Sequence, residues 1–321
     1  MNVREAPGTP QAGVVDTGPS AGERSLVAVP NVSEGRDPDR IEALVAAARA
    51  PGVRVLDVHS DADHDRTVLT LAGRPAALLE GLGGLAEASL DLIDLRRARG
   101  VHPRVGALDV APIVVRAPGD APDARAVAEA LAERIGVNLA IPVFFYGDVA
   151  SDPERARPHA FRAGGSDELE RRIDGGELEP DVGPPRLHPT AGATLVGVRP
   201  PLIAWNVWLP EASLAEARAL AARIRESGGG LPGGRALGVW LPEPSVAQLT
   251  MNMEQPRLAG PVEVMARARE EAARLSVTLG ESELVGLVPR AALARETPAA
   301  LGLRALRPGQ LLEAHLPHGR G

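Results

Sequence analysis

The residues able to move protons in this chain are few, because it has seven histidines and no cysteine, and all 35 of its lysine-or-arginine residues are arginine. One stretch concentrates them. From Arg99 to Val115 the sequence runs R-G-V-H-P-R-V-G-A-L-D-V-A-P-I-V-V, setting His102 against a rigid proline and between two arginines, just ahead of an apolar run. An imidazole both takes and returns a proton near neutral pH, and a guanidinium matches a carboxylate bidentately. The turn therefore predicts a base at a site for an anionic substrate, with His102 as the candidate catalytic residue. The structural alternative is an imidazole tied to a backbone carbonyl.

Composition removes other chemistries. Without cysteine or lysine there is no thiol nucleophile, no Cys-ligated zinc, no disulfide, no Schiff base and no P-loop lysine. A formal charge of −7 argues against nucleic acid or an anionic membrane as the main partner. A local arginine-lined pocket for a small anion is still allowed.

A second polar cluster, His59, Asp61, Asp63, His64 and Asp65, offers ligands that suit zinc, manganese or iron. Consecutive residues of an extended chain point to opposite sides, however, so few of these can converge on one ion. A turn without metal is the expectation. Three motif matches lack their structural context: G-P-S-A-G at Gly18 to Gly22 has no strand before it, G-L-G-G-L-A at Gly81 to Ala86 lies inside a helical pattern, and G-G-G-L-P-G at Gly228 to Gly233 follows one.

The elements that must carry these residues repeat. Ser25 to Asn31 is a strand pattern, and Asp37 followed by Pro38 opens a helix whose apolar face is Ile41, Leu44, Val45 and Ala48. Strands at Val53 to Val58 and Thr67 to Leu71 flank the polar cluster; a helix from Pro75 to about Leu95 and a strand from Leu108 to Val115 follow. After residue 200 the order returns. A strand from Leu202 to Leu209 precedes a helix opened by the Ser213–Glu216 capping box, then come strands at Leu237 to Leu241 and Val246 to Asn252, a helix from Pro261 to Leu275 and a strand from Leu284 to Val288. Two βαββαβ units fit an α+β protein built of two ferredoxin-like α/β sandwich subdomains, the expected fold class, although the pattern alone leaves a doubly wound sheet open because strand order is not visible in sequence. Between them lie a helix from Asp123 to Ile135, a strand from Pro142 to Tyr146 and a loop-rich stretch, Gly147 to Arg199.

The expected division is a disordered tail over 1–24, an N-terminal subdomain over 25–200, a C-terminal subdomain over 201–295 and a weakly ordered tail over 296–321. The first segment has no apolar h-region and no stretch is long and apolar enough for a membrane helix, so a cytoplasmic protein is expected.

Longer motifs then carry a family resemblance. V-P-N-V-S-E-G (Val29 to Gly35), D-R-T-V-L-T (Asp65 to Thr70), G-V-H-P-R-V-G-A-L-D-V-A-P, P-D-V-G-P (Pro180 to Pro184), H-P-T-A-G-A-T-L-V-G (His188 to Gly197), I-A-W-N-V, R-E-S-G-G-G-L-P-G, A-Q-L-T-M-N and S-E-L-V-G-L-V-P resemble the glutamate formimidoyltransferases from about residue 26 to 293, without a cyclodeaminase domain. The resemblance implies transfer of the formimino group from N-formimino-L-glutamate to tetrahydrofolate in histidine degradation, with tetrahydrofolate as co-substrate and no metal. It implies a homodimer and a histidine base in G-x-H-P-R, which falls on His102. The family's folate-contacting segment falls on Gly183, Pro184, Pro185, Arg186, Leu187, His188, Pro189, Thr190, Ala191 and Gly192.

Apart from the resemblance, Arg66, Arg104 and Arg225 are candidates for binding substrate carboxylates. An ion pair with Asp65 or Asp109 is the structural alternative for Arg66. Two departures from the family pattern stand out. Asp65 replaces an asparagine, placing a carboxylate that could neutralise Arg66, and Trp208 replaces a second asparagine, where it could reshape the pocket or stack on a flat ring. The alternatives within and outside the reaction class are formyl transfer or 5-formyltetrahydrofolate metabolism, and noncatalytic folate binding.

Overall fold

The computed structural model describes residues 25–293, 297–303 and 306–316; the expected tail over 1–24 lies outside them. Among the described residues, eleven strands and seven α-helices make up the fold, with two sheets that are each backed by helices on the face turned away from the other sheet.

In the first half, β1 (Leu26–Ala28) and β2 (Asn31–Val32) are one strand interrupted at Val29-Pro30. Proline cannot donate to a ladder, and this interruption faces Pro112 of β5 (Leu108–Val114) across the pairing. The Val29 N–H still bonds the Pro112 carbonyl at 3.0 Å. The interrupted strand lies antiparallel between β4 (Arg66–Gly73) and β5, and β3 (Val53–Asp61) pairs with β4 on its outer side. Taken in chain order, the unit's strands lie fourth, first, third, second, the ferredoxin-like arrangement. β7 (Thr194–Arg199) and β6 (Val143–Gly147) extend this sheet as parallel strands beyond β5. The second half repeats the arrangement: β11 (Ser282–Val285), β8 (Ile203–Leu209), β10 (Val246–Met253) and β9 (Gly234–Leu241), all antiparallel.

Local sequence explains the helices. Asp37 accepts the N–H groups of Asp39 and Arg40 at 3.1 and 3.2 Å and so caps α1 (Pro38–Ala48). Pro75 opens α2 (Pro75–Leu92) from a first-turn position, where its missing N–H costs nothing. Ser213 and Glu216 form the reciprocal capping box of α6 (Leu214–Ile224). α3 (Ala121–Glu133) packs against β5 and β7, and α7 (Pro261–Leu275) against α6.

Strand alternation then divides each sheet into two faces. Leu26, Ala28, Leu69, Leu71, Ala111 and Ile113 turn toward α1, α2 and α3, while Ile203, Trp205, Val207, Leu249 and Met251 turn toward α6 and α7. Each fully buried leucine contributes roughly 1.5–3 kcal/mol. The opposite faces, carrying Arg66, Val68, Thr70, Val110 and Pro112 on one sheet and Ala204, Asn206, Thr250 and Asn252 on the other, look at each other across a cavity.

The loop-rich stretch expected over Gly147 to Arg199 holds more order than its composition suggested. It contains α4 (His159–Arg162), α5 (Gly165–Asp174) and the inner strand β7. β7 escapes a period-2 reading because it is covered on both faces, with Thr194 to Val198 all buried. In the C-terminal segment Leu301, Leu303, Leu311 and Leu316 are buried; Leu316, with Leu287 and Leu312, packs on Val27, Leu56 and Val114 of the first subdomain. Among the described residues no helix is long and apolar enough to cross a membrane.

Candidate active site

The cavity between the sheets has a volume of about 450 Å³, within the range of small-molecule sites. Its walls are apolar at Val27, Val29, Val68, Val110, Val114 and Leu287, and its charged lining is dominated by arginine: Arg66, Arg116, Arg157, Arg162 and Arg199. No lysine shares this task.

His102 lines the cavity from the turn that follows α2 and precedes β5. Its Nδ1–H donates to the Pro103 carbonyl at 2.7 Å, which fixes the tautomer and leaves the lone pair on Nε2. The structural alternative and the catalytic one are thus compatible: one ring nitrogen is tied to backbone so that the other is basic. Burial, reinforced by the Arg66 and Arg162 guanidiniums and opposed by Asp109, holds the imidazole well below its ordinary 6.5. It is neutral at pH 7.

The turn carrying His102 is bolted to the β3–β4 hairpin. Arg104 donates to the Asp65 and His64 carbonyls at 2.7 and 2.5 Å, Val101 N–H to the Asp63 carbonyl at 3.0 Å and Arg99 N–H to the Asp65 carboxylate at 3.0 Å. Gly100 is required where it sits, since a Cβ there would strike the His64 carbonyl. Asp65 adopts a positive φ of 48°, a conformation that aspartate and asparagine tolerate better than most residues. Its carboxylate accepts from Gly35 N–H and Arg99 N–H and lies 3.8 Å from Arg104. It does not neutralise Arg66, as the sequence departure suggested it could.

Arg66 instead pairs with Asp109 at 2.7 Å and donates to Asn31 at 2.9 Å. Arg162, reaching in from α4, contacts the same Asp109 carboxylate, which also accepts Val105 N–H at 2.8 Å. Burial alone would raise the Asp109 carboxyl, but Arg162 and Arg66 override it and hold it far below the usual range. Burial pushes Arg66 down to about 10, still charged at neutral pH. On β6 of the same sheet Tyr146 hydrogen-bonds Arg199, and burial raises its phenol so that it stays protonated.

The other sequence candidates stand elsewhere. Arg104 spends its guanidinium on the carbonyls of His64, Asp65 and, at 3.3 Å, His102, and it does not line the cavity. Arg225 ends α6, where its carbonyl accepts Gly228 and Gly230 N–H, and it too lies off the cavity. Gly183 to Gly192 is also absent from the lining. It braces the His102 turn from behind: the Thr190 carbonyl accepts Leu95 N–H, the Ala191 carbonyl accepts Ala107 N–H, and Gly192 bridges Gly106. His188 shapes this segment by accepting the Thr190 and Ala191 N–H groups on Nδ1. Trp208 is half-buried on β8, beyond the stretch of that strand that lines the cavity.

The polar cluster at residues 59–65 turns out to clasp the two subdomains. His64 Nε2–H donates to Gln248 of β10 at 2.8 Å, Glu243 N–H donates to Asp63 at 3.2 Å, and His59 lies 3.5 Å from Glu283 of β11. Among the described residues no group of three or more His, Asp or Glu side chains is arranged to hold a metal ion.

Arg162, Tyr146 and Arg199 were missed from sequence. One signal pointed to partners of this kind: Asp109 sits inside the apolar run L-D-V-A-P-I-V-V, and a carboxylate buried there requires cations.

Comparison with known proteins follows the same lines. The Formiminotransferase domain, N-terminal subdomain, matches residues 25–199, and the Formiminotransferase domain matches residues 204–298. Glutamate formimidoyltransferase of Streptococcus pyogenes is 38% identical over 266 residues, covering 83% of this chain and 89% of that protein. The Thermoplasma acidophilum protein of the same name is 34% identical over 288 residues, covering 89% and 95%. The formimidoyltransferase-cyclodeaminase of Sus scrofa is 37% identical over 83% of this chain but only 50% of its own length. With both of its subdomains matched in order, this chain belongs to the formiminotransferase domain family.

Proposed function

We propose that the protein is a glutamate formimidoyltransferase, moving the formimino group of N-formimino-L-glutamate to tetrahydrofolate and releasing L-glutamate and 5-formimidoyltetrahydrofolate in histidine degradation. The relatives named above carry this activity in their names. The observation that carries the mechanism is His102 itself, a cavity-lining imidazole held neutral, with its Nδ1–H occupied and its Nε2 lone pair available.

In the transfer one carbon–nitrogen bond forms at folate N5 and another breaks at the glutamate nitrogen. A proton must leave the first nitrogen and reach the second. Tetrahydrofolate supplies the nucleophilic secondary amine. His102 takes the proton released as the new bond forms and returns it to the departing glutamate nitrogen, so a single base serves both halves. No covalent intermediate on the protein is required, in keeping with a chain that lacks cysteine and lysine.

The cavity suits both substrates. Its valine-rich walls match a flat ring system, and Arg66, Arg116, Arg157, Arg162 and Arg199 supply cations for the carboxylates of glutamate and of the folate tail. Arg66 and Arg162 keep guanidinium N–H groups beyond those given to Asp109. Arg104 serves the reaction by holding the His102 turn, and Gly183 to Gly192 contributes to folate binding through the same turn. The proposal includes a cytoplasmic homodimer that needs no metal.

The test is incubation of the protein with tetrahydrofolate and either N-formimino-L-glutamate or N-formyl-L-glutamate, with 5-formyltetrahydrofolate as a third arm, followed by absorbance. Rapid turnover with the formimino donor supports the assignment. Turnover confined to a formyl compound, or tight folate binding without turnover, overturns it.

A further inference from the structure

Gln248 is an odd residue for its place. It lies on β10 of the second subdomain, facing the first, with 1% of its surface exposed. Its Oε1 accepts His64 Nε2–H at 2.8 Å, and its Nε2 has no hydrogen-bond partner among the described residues. A buried amide with an unpaired N–H₂ is a cost that an apolar side chain of the same size would avoid. What Gln248 adds in return is the bond to His64.

His64 leads directly to the base. Its ring centroid is 5.9 Å from that of His102. Its carbonyl, with those of Asp63 and Asp65, is what Arg104 and Val101 grip to hold the His102 turn. A continuous chain of contacts thus runs from β10 through His64 and the hairpin at residues 61–65 to His102. Resting on the reading of His102 as the base, we propose that Gln248 is a positioning residue for it, acting through His64, so that the second subdomain sets the base of the first. Gln248 contacts neither His102 nor, by its place outside the cavity lining, the substrates.

The test uses the full chain with Gln248→Met, which keeps the size and removes the acceptor, and Gln248→Glu, which keeps an acceptor oxygen for the same N–H. Gln248→Met is expected to lower kcat about 10- to 100-fold, the scale of a small misplacement of a catalytic group, with KM for both substrates within about threefold. Gln248→Glu is expected to recover most of that loss. His64→Phe should lower kcat similarly, and the double variant His64→Phe/Gln248→Met should lose no more than the worse single one, because both act through one bond. Unchanged kcat in Gln248→Met, equal losses in Gln248→Met and Gln248→Glu, or additive losses in the double variant would overturn the proposal. Should Gln248→Met fail to fold, the His64→Phe result against Gln248→Glu decides it: loss in the first without loss in the second is the expected pair. Turnover surviving in a parallel His102→Gln variant would sink the base assignment instead, and separates the two failures.

Discussion

The two subdomains have the same strand order and the same helical backing, yet the faces they turn toward the cavity have little in common. The first presents His59, His64, Arg66 and, from its adjoining turn, His102; the second presents Ala204, Asn206, Thr250 and Asn252, with Glu254 as its acidic member. The helix-facing sides are alike in being apolar, with Leu26, Ala28, Leu69, Leu71, Ala111 and Ile113 on one sheet and Ile203, Trp205, Val207, Leu249 and Met251 on the other. Repetition of the fold therefore rests on one face of each sheet and the chemistry on the other. On the proposed reading the first subdomain carries base and cations, while the second supplies mainly neutral hydrogen-bonding groups and, through Gln248 and Glu243, one side of the clasp between the subdomains.

The sharpest way to break this division is to remove the base. His102→Ala is expected to lower kcat about 10² to 10⁴-fold, with folate affinity within a few-fold and an unchanged melting temperature. Near-normal turnover would show that the first subdomain's face does not hold the chemistry.

Asp109 is next. Replacing it by alanine strands the buried guanidiniums of Arg66 and Arg162 and should cost about 3–5 kcal/mol of stability, read by chemical denaturation. The pH dependence has a definite sign. Because the folded carboxyl is held below its ordinary value, the unfolded chain takes up a proton here first as pH falls. The contribution of Asp109 is complete above about pH 4 and is lost on further acidification through the folded value. A wild-type protein whose acid stability matches that of Asp109→Ala would contradict this.

Arg162→Ala leaves Asp109 still paired with Arg66 and Val105, so the loss should appear in binding. An increase in KM for either substrate corresponding to about 1.5–3 kcal/mol is expected, with a smaller change in kcat. A variant that melts early but binds both substrates normally would reassign Arg162 to the scaffold.

The smallest effects are expected away from the cavity. Arg225→Ala should change stability and rate by less than about 0.5 kcal/mol, and exhaustive chelation should leave the rate unaltered. Loss of activity on chelation, restored by one divalent ion, would reopen the metal reading of residues 59–65.

Much of the fold was legible because it is written locally. The Asp37 cap, the Ser213–Glu216 box and the apolar, β-branched run of β4 each sit within a few residues of sequence. β7 was not, since a strand covered on both sides does not alternate and its run T-L-V-G-V-R is broken by Gly197. The candidate site was legible where a tight turn concentrates polar residues, as at His102, which lines the cavity. It was illegible where residues 66, 109 and 162 converge, because only sheet topology brings β4, β5 and α4 together. The cluster at residues 59–65 shows the converse. Its composition suggested a metal, but its side chains bond backbone and the other subdomain, partners that no local pattern reveals.

The central claim, that His102 works as a neutral imidazole at neutral pH, is tested most directly by the pH dependence of kcat/KM for formimino transfer in the wild type and in His102→Ala. Burial and the guanidiniums of Arg66 and Arg162 hold the ring well below its ordinary 6.5, so the folded protein keeps the basic form at pH values where a free imidazole is already protonated. The acidic limb of the wild-type profile is expected to have its midpoint below 6.5 and to be missing from the residual activity of the variant. A midpoint at or above 6.5, or a limb that survives in His102→Ala, would contradict the account.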